Sequence, residues 1–363
     1  MIYPNRATIV KIFCIGCLLL GCSSERDVET PTFTEYSVKN TQAFLSLENT
    51  LFLGSPTSIE AVSGGLLIVD KGHFQITKVD YEGNRLLSFG KRGRGPGEFQ
   101  SISGFWPFEN EYLVYDYNSF KFSTFDHSGN LIDEEILEEN PVNSSTGRSI
   151  PITLDAISSN KILIPTGGLQ GSLFAIADLI NGDAIYTGNA VVEYIEYNHQ
   201  DNMQTFSKGE IPDIHRNMVM LNSSSSAIYS FQQTTGVLEK YTHAGEQVWE
   251  KKLDIPAQSD LFDQISEHNR ELGLDDFPRM FLYGRGMDAL EEGVALLLNL
   301  PDDQPLTIAW VPEDGSKIDL VEVEGITLDG NSFRDGFTIS PDGQHAYYLK
   351  RSKGTIYQFE WPL

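Results

Sequence analysis

LLIVDKGHFQITKVDYEGNRLL (residues 66–87) and YLVYDYNSFKFSTFDHSGNLID (residues 112–133) align when one is slid 46 positions along the other. Asp70 then falls on Asp116, Asp80 on Asp126, Gly83 on Gly129 and Leu86 on Ile132. Each copy reads as an alternating strand, a polar turn, a second strand, a glycine-bearing hairpin and a third strand. A strand-rich period of 40–50 residues predicts the blades of a propeller.

Weaker copies follow. ISSNKILIPTGG with LFAIADLINGDAIY forms a third unit, and MVMLNSSSSAIYSFQQTTGVLEKYTHAGEQVWEKKL a fourth. GMDALEEGVALLLNL with LTIAWVPEDGSKIDLVEV is a fifth. FTISPDGQHAYYLKRSKGTIYQFEWPL ends the chain one strand short of a sixth. The stretch TEYSVKNTQAFLSL, residues 34–47, supplies that strand, tying the two ends of the ring together and covering a sheet edge. The expectation is an all-β fold, a six-bladed propeller of four-stranded antiparallel blades. One short helix is expected near 259–276, opened by Ser259, with Leu261, Phe262 and Ile265 on one face and Gly273 near its end.

The first residues belong to no blade. Arg6 and Lys11 precede a short apolar run, Ile12 to Leu20, too short to span a bilayer. It ends in LLGCSS, residues 19–24, which resembles a bacterial lipobox. The resemblance implies cleavage after Gly21 and lipid on Cys22, which would anchor the chain stably in a membrane. Residues 1–21 are then signal peptide, 22–35 a lipidated tether and 36–363 a single propeller domain. Ser23 rather than Asp after the cysteine points to the outer membrane. Cys14 and Cys17 leave with the signal, so no thiol remains for a disulfide or a cysteine metal site. The net charge of −25, from 26 basic and 51 acidic residues, excludes nucleic acid as a general partner and favours cationic ones.

FGKRGRGPGEF (residues 89–99) followed by YLVYDYNSFKFSTFDHSGN resembles the NHL-type repeat. With the lipobox, the chain resembles the six-bladed, TolB-like propeller lipoproteins of Bacteroidetes. The resemblance is close over residues 59–135 and architectural beyond. It implies the fold and the cell envelope, and little chemistry.

The loop 89–99 packs four glycines and three cations into an acidic chain. It lacks the Lys-Ser/Thr and the helix of a P-loop, and the strand–helix context of a dinucleotide fingerprint. It reads as the crossing between two blades, with Phe99 as its core anchor. Arginines recur before the innermost strands: Arg94, Arg148, Arg216, Arg285 and Arg334. Crossing loops converge on one mouth of a propeller channel, so these guanidinium groups form a candidate ring for a carboxylate or phosphate. The competing expectation is that each pairs with a nearby acid. His215 and Trp106 are further candidates at that mouth, Trp106 for stacking on a sugar, although core packing is the stronger expectation for it. Asp70 and Asp116 are read as acceptors for turn amides, with metal binding as the alternative. The scattered histidines make no metal spacing, and no nucleophile–base motif is present.

The expected function is therefore a membrane-anchored ligand-binding or scaffold module without cofactor or metal. Its partners would be an anionic small molecule, glycan or peptide, and an envelope protein. The alternatives are a metal-dependent propeller enzyme of lactonase or lyase type, and a protein–protein scaffold using the rim.

Overall fold

The computed structural model describes residues 33–137, 154–272, 276–301, 304–328 and 335–363. Six antiparallel sheets follow one another along the chain as six blades. Their innermost strands are Pro56–Val62, Ile102–Pro107, Asp155–Ser158, Val219–Ser223, Gly284–Leu290 and Gly336–Ile339, in blades 1 to 6. In blades 1 to 5 the next three strands step outward in chain order. Blade 6 takes its outermost strand from the other end of the chain: β2 (Gln42–Ser46) pairs antiparallel with Thr355–Glu360. The N-terminal closure expected from the sequence is therefore present.

One strand was not anticipated. β1 (Phe33–Val38) adds to blade 5 as a fifth strand, parallel to Ile318–Thr327. It opens three residues before position 36. Half of its six side chains are exposed and only Val38 is buried, so it carries no clear apolar alternation that would betray a strand.

The repeat has a shared local cause in blades 1 and 2. Asp80 accepts hydrogen bonds from the amides of Glu82 and Asn84 and from Asn84 Nδ2, at 3.0, 2.7 and 2.9 Å. Asp126 does the same with Ser128, Asn130 and Asn130 Nδ2, at 2.9, 2.8 and 2.9 Å. Gly83 and Gly129 complete these hairpins at φ 86° and 79°, a conformation that glycine adopts without a Cβ penalty. The core lies between blades: Phe89 of blade 1 stacks on Tyr112 of blade 2 at 5.5 Å, for example.

The helix between blades 4 and 5 is α3 (Pro256–Arg270), introduced after α1 (His199–Phe206) and the short α2 (Asp213–Arg216). α3 starts at Pro256 rather than after Ser259, because proline at the first position needs no amide partner and its φ already suits a helix. Leu261 and Ile265 are buried on its inner face, and Phe262 packs beside them. α1 and α2 escaped the periodicity because they are short; the four-residue α2 holds a single apolar residue, Ile214. Among the described residues no helix is long and apolar enough to cross a membrane.

Candidate functional site

The six inner strands enclose a channel of about 1850 Å³, open to solvent and lined from every blade. Side chains on these strands stitch neighbouring blades together at mid-depth. The Ala61 amide donates to Thr338 Oγ1 at 3.0 Å, joining blades 1 and 6. The Ile339 amide donates to Asp288 Oδ2 at 2.6 Å, joining 6 and 5. The Ala289 amide donates to Asn222 Oδ1 at 2.6 Å, joining 5 and 4. Ser223 Oγ donates to Asp155 Oδ2 at 2.8 Å, joining 4 and 3. The Trp106 indole donates to the same carboxylate, joining 2 and 3.

Asp155 and Asp288 thus serve as both struts and channel lining, and Glu60 of blade 1 lines the channel between them. Burial pushes the Asp155 carboxyl up to about 7, against the opposing effect of its bonds to Ser223, Ala156 and Trp106. Burial likewise raises Asp288 to about 6. Glu60 is raised well above the usual carboxylate range, first by burial and then by the charges of Asp288 and Asp155. Glu60 of blade 1 therefore feels the charges of Asp155 and Asp288, from blades 3 and 5, across the waist of the channel. The cations lining it stand nearer its ends: Lys71, Arg285 and Arg351 at the crossing mouth, Lys78 and Lys161 at the far one.

A stability consequence follows by linkage. Folded Asp155 holds a proton between about pH 4 and pH 7 that the unfolded chain releases, so its contribution to stability falls as pH rises through that window. Asp155→Asn keeps an acceptor for Ser223 and Trp106 and cannot ionise. We expect the variant to gain about 2 kcal/mol on the wild type between pH 4 and pH 8, measured by urea unfolding across that range; a full shift is worth ~1.4 kcal/mol per pH unit, and channel water reduces it. Parallel pH profiles for the two proteins would contradict this.

The sequence candidates are distributed unevenly. Arg285 lines the crossing mouth, 7% exposed, its Nε donating to Asn299 Oδ1 at 2.7 Å. Arg216 is exposed, pairs with Asp213 at 3.0 Å and lies outside the channel lining. Arg94 is exposed and likewise outside it. Arg148, Arg334 and Cys22 fall outside the described residues. His215 is buried in α2 against Phe206 at 5.2 Å and Met218 Sδ at 3.1 Å, away from the lining. Burial brings its imidazole down to about 4, so it stays neutral in ordinary solution. Trp106 does both things considered for it: it packs with Leu113, Tyr115 and Ile162 and shows a small part of its surface to the channel.

Lys71 and Arg351 were not singled out in the sequence, although each directly follows a second strand: Gly65–Asp70 in blade 1 and His345–Lys350 in blade 6. That shared position was the available signal. Asp335 stands beside them, accepting from the Arg351 amide at 3.1 Å and from the Tyr348 hydroxyl. The waist carboxyls carried only a weak signal, an acidic residue within each of SIEAV, DAIS and GRGMDAL. Asp70 and Asp116 hold turns as expected. Asp70 accepts from the amides of Gly54, Ser55 and Gly72, and Asp116 from those of Gln100, Ser101 and Asn118. Among the described residues no three His, Cys, Asp or Glu side chains are placed to share a metal.

The glycine-rich loop does cradle an anion, but its own. The amides of Arg94 and Gly95 donate to Glu98 Oε2 at 3.0 and 2.8 Å. These bonds, led by that from Gly95, and Lys91 hold the Glu98 carboxyl below its usual range. Gly90 has φ 84°, and a Cβ there would sit 2.6 Å from the Phe99 ring, so glycine lets the crossing chain lie on its anchor. Arg92 lies over Phe74 at 5.2 Å.

No protein-family model matches the chain, and no curated protein does. Solved structures do. An exported protein of Bacteroides fragilis is similar over 90% of this chain and 99% of its own, at 11% identity and TM-score 0.52. A DUF4221 family member from Bacteroides vulgatus is similar over 89% and 96%, at 11% identity and TM-score 0.47. Virginiamycin B lyase of Staphylococcus aureus is similar over 89% of each chain, at 12% identity and TM-score 0.42. At such identities the likeness concerns the fold.

Proposed function

We propose that this chain is a cell-envelope propeller, tethered by lipid on Cys22 to the outer membrane, that binds an anionic ligand at the crossing mouth of its channel. The ligand class is a carboxylate- or phosphate-bearing glycan or peptide. The observation that carries this is the convergence of Lys71, Arg285 and Arg351, from blades 1, 5 and 6, on one mouth of the channel. A concave site built by several loops is where propellers offer the most contact to a small ligand. Three cations around one mouth stand out against a net charge of −25. Arg94, Arg216 and His215 have no part in this site, and Arg148 and Arg334 lie outside the described residues.

The metal-dependent enzyme is the second reading; the three channel carboxyls are its candidate ligands, although among the described residues no three such groups are placed to share a metal. Their burial favours protons over ionised ligands, which weighs against it. The test is a thermal-shift screen with trigalacturonate, sulfate, a short peptide with a free C-terminus, calcium and zinc. We expect the anions to stabilise the protein, and the shift to fall by at least half in Lys71→Ala/Arg351→Ala. Stabilisation by calcium or zinc alone, or an anion shift unchanged in that variant, would overturn the proposal.

A further inference from the structure

We propose that the channel holds its anionic ligand most tightly while the waist carboxyls of Glu60, Asp155 and Asp288 carry protons, and loosens its hold as they ionise. This rests on the anion site proposed above and adds its regulation.

The geometry is a stack of opposite polarities. Arg285 and Asp288 share one inner strand, three positions apart with a bulge at Arg285, so the anion site stands roughly 7–10 Å above the waist. Asp288 and Asp155 are 7% and 4% exposed, and both are fixed by bonds to the next blade. The raising influences on all three carboxyls are burial and, at Glu60, its two acidic neighbours. Protonated, the waist is neutral and offers hydroxyls to a ligand's body. Ionised, it directs its charge at the same anion that the mouth attracts, through a channel whose walls exclude much of the screening water.

The other groups facing the waist divide clearly. The strands packed beside it bring Trp106, Asn222 and Ser223 to the channel and Thr338 against Asp288, none of which titrates. Toward the crossing mouth stand Lys71, Arg285, Arg351, Asp335 and Tyr117. Toward the far mouth stand Lys78, Glu109, Lys161, Glu291, Glu292 and two histidines. The two histidines are His127 and His243. Each bonds the carbonyl of its own blade's inner hairpin, Phe108 O and Ser224 O, both at 3.2 Å.

The test measures the affinity of the intact protein for sulfate and trigalacturonate between pH 5.5 and pH 8, where both probes stay charged. The wild type is expected to lose about tenfold across that range, the effect of one unit of repulsion at this distance. Glu60→Gln/Asp155→Asn/Asp288→Asn should bind at pH 8 as tightly as the wild type does at pH 5.5. Asp155→Asn alone, the more conservative change, should recover part of the loss. A drop that persists in the triple variant and vanishes in His127→Gln/His243→Gln would overturn the proposal and assign the coupling to the histidines. Wild-type binding that is flat with pH would overturn it while leaving the anion site standing. Failure of both probes to bind at pH 5.5 would overturn both.

Discussion

Asp116→Ala is expected to cost about 4 kcal/mol. Its carboxylate is fully buried and accepts from three amides, those of Gln100, Ser101 and Asn118, at 2.6, 3.0 and 3.0 Å. Two of these amides lie on the approach to the inner strand of blade 2, and the third lies in the turn after its second strand. The carboxylate therefore pins the start of the blade to its first return. Each buried donor left without an acceptor costs about 1–3 kcal/mol, and part of the loss is recovered where water reaches the turn. Against a typical total of about 5–15 kcal/mol, the variant should unfold at a much lower urea concentration with an unchanged slope. Asp116→Asn retains one oxygen acceptor and should recover about half. Equal losses in the two variants would show that the bonds are not the cause.

Asn217→Asp should be at least as damaging, at about 4–5 kcal/mol at neutral pH, and worse than Asn217→Ala. The Asn217 side chain is 2% exposed. Its Oδ1 accepts from the amides of Val191 and Val192, and its Nδ2 donates to the carbonyls of Gly167 and Val192. Three of the bonds fasten the crossing from blade 3 to the entry of blade 4, and the fourth reaches the turn after the second strand of blade 3. Alanine removes them all. Aspartate keeps two, but turns an oxygen of a buried carboxylate toward two carbonyl oxygens, which costs more than an unmade bond. The loss in Asn217→Asp should shrink in acid, where a protonated carboxyl can again donate. Unfolding measured at pH 4 and pH 7 tests this; an aspartate variant more stable than the alanine variant at pH 7 would contradict it.

Both residues show how far local sequence reaches. Asp116 was legible because its role is local: it closes a strand and ties a turn, and it recurs 46 positions from Asp70. Asn217 was not legible, because its partners at 167, 191 and 192 have no pattern that points to position 217. The candidate site divides in the same way. Arg285 could be found as one of several arginines expected ahead of inner strands, although it lies within the first residues of its strand, Gly284–Leu290. Arg216, chosen by the same spacing, turned to Asp213 instead, because three residues along a short helix bring the two side chains together. His215 shares that helix and points into the core. The waist carboxyls were overlooked: single acids in short strands look like solvated faces until the ring closes.

The sequence alone determined the strand alternation, the Asp–Gly hairpins, the count of six blades and the closing strand from the N-terminus. All of these follow from periods and turns a few residues long, written into the chain wherever they act. Only the tertiary structure decided which side chains face the channel and which of them meet. Ala61 reaches Thr338 across 277 positions of chain because a closed ring sets the first and last inner strands edge to edge, and Glu60 feels the charges of Asp155 and Asp288 across the same ring. The rotation of each inner strand about its axis then decides whether an acid lines the channel or the face between two blades. That rotation is set by the packing of whole blades on one another, which no short stretch of sequence encodes.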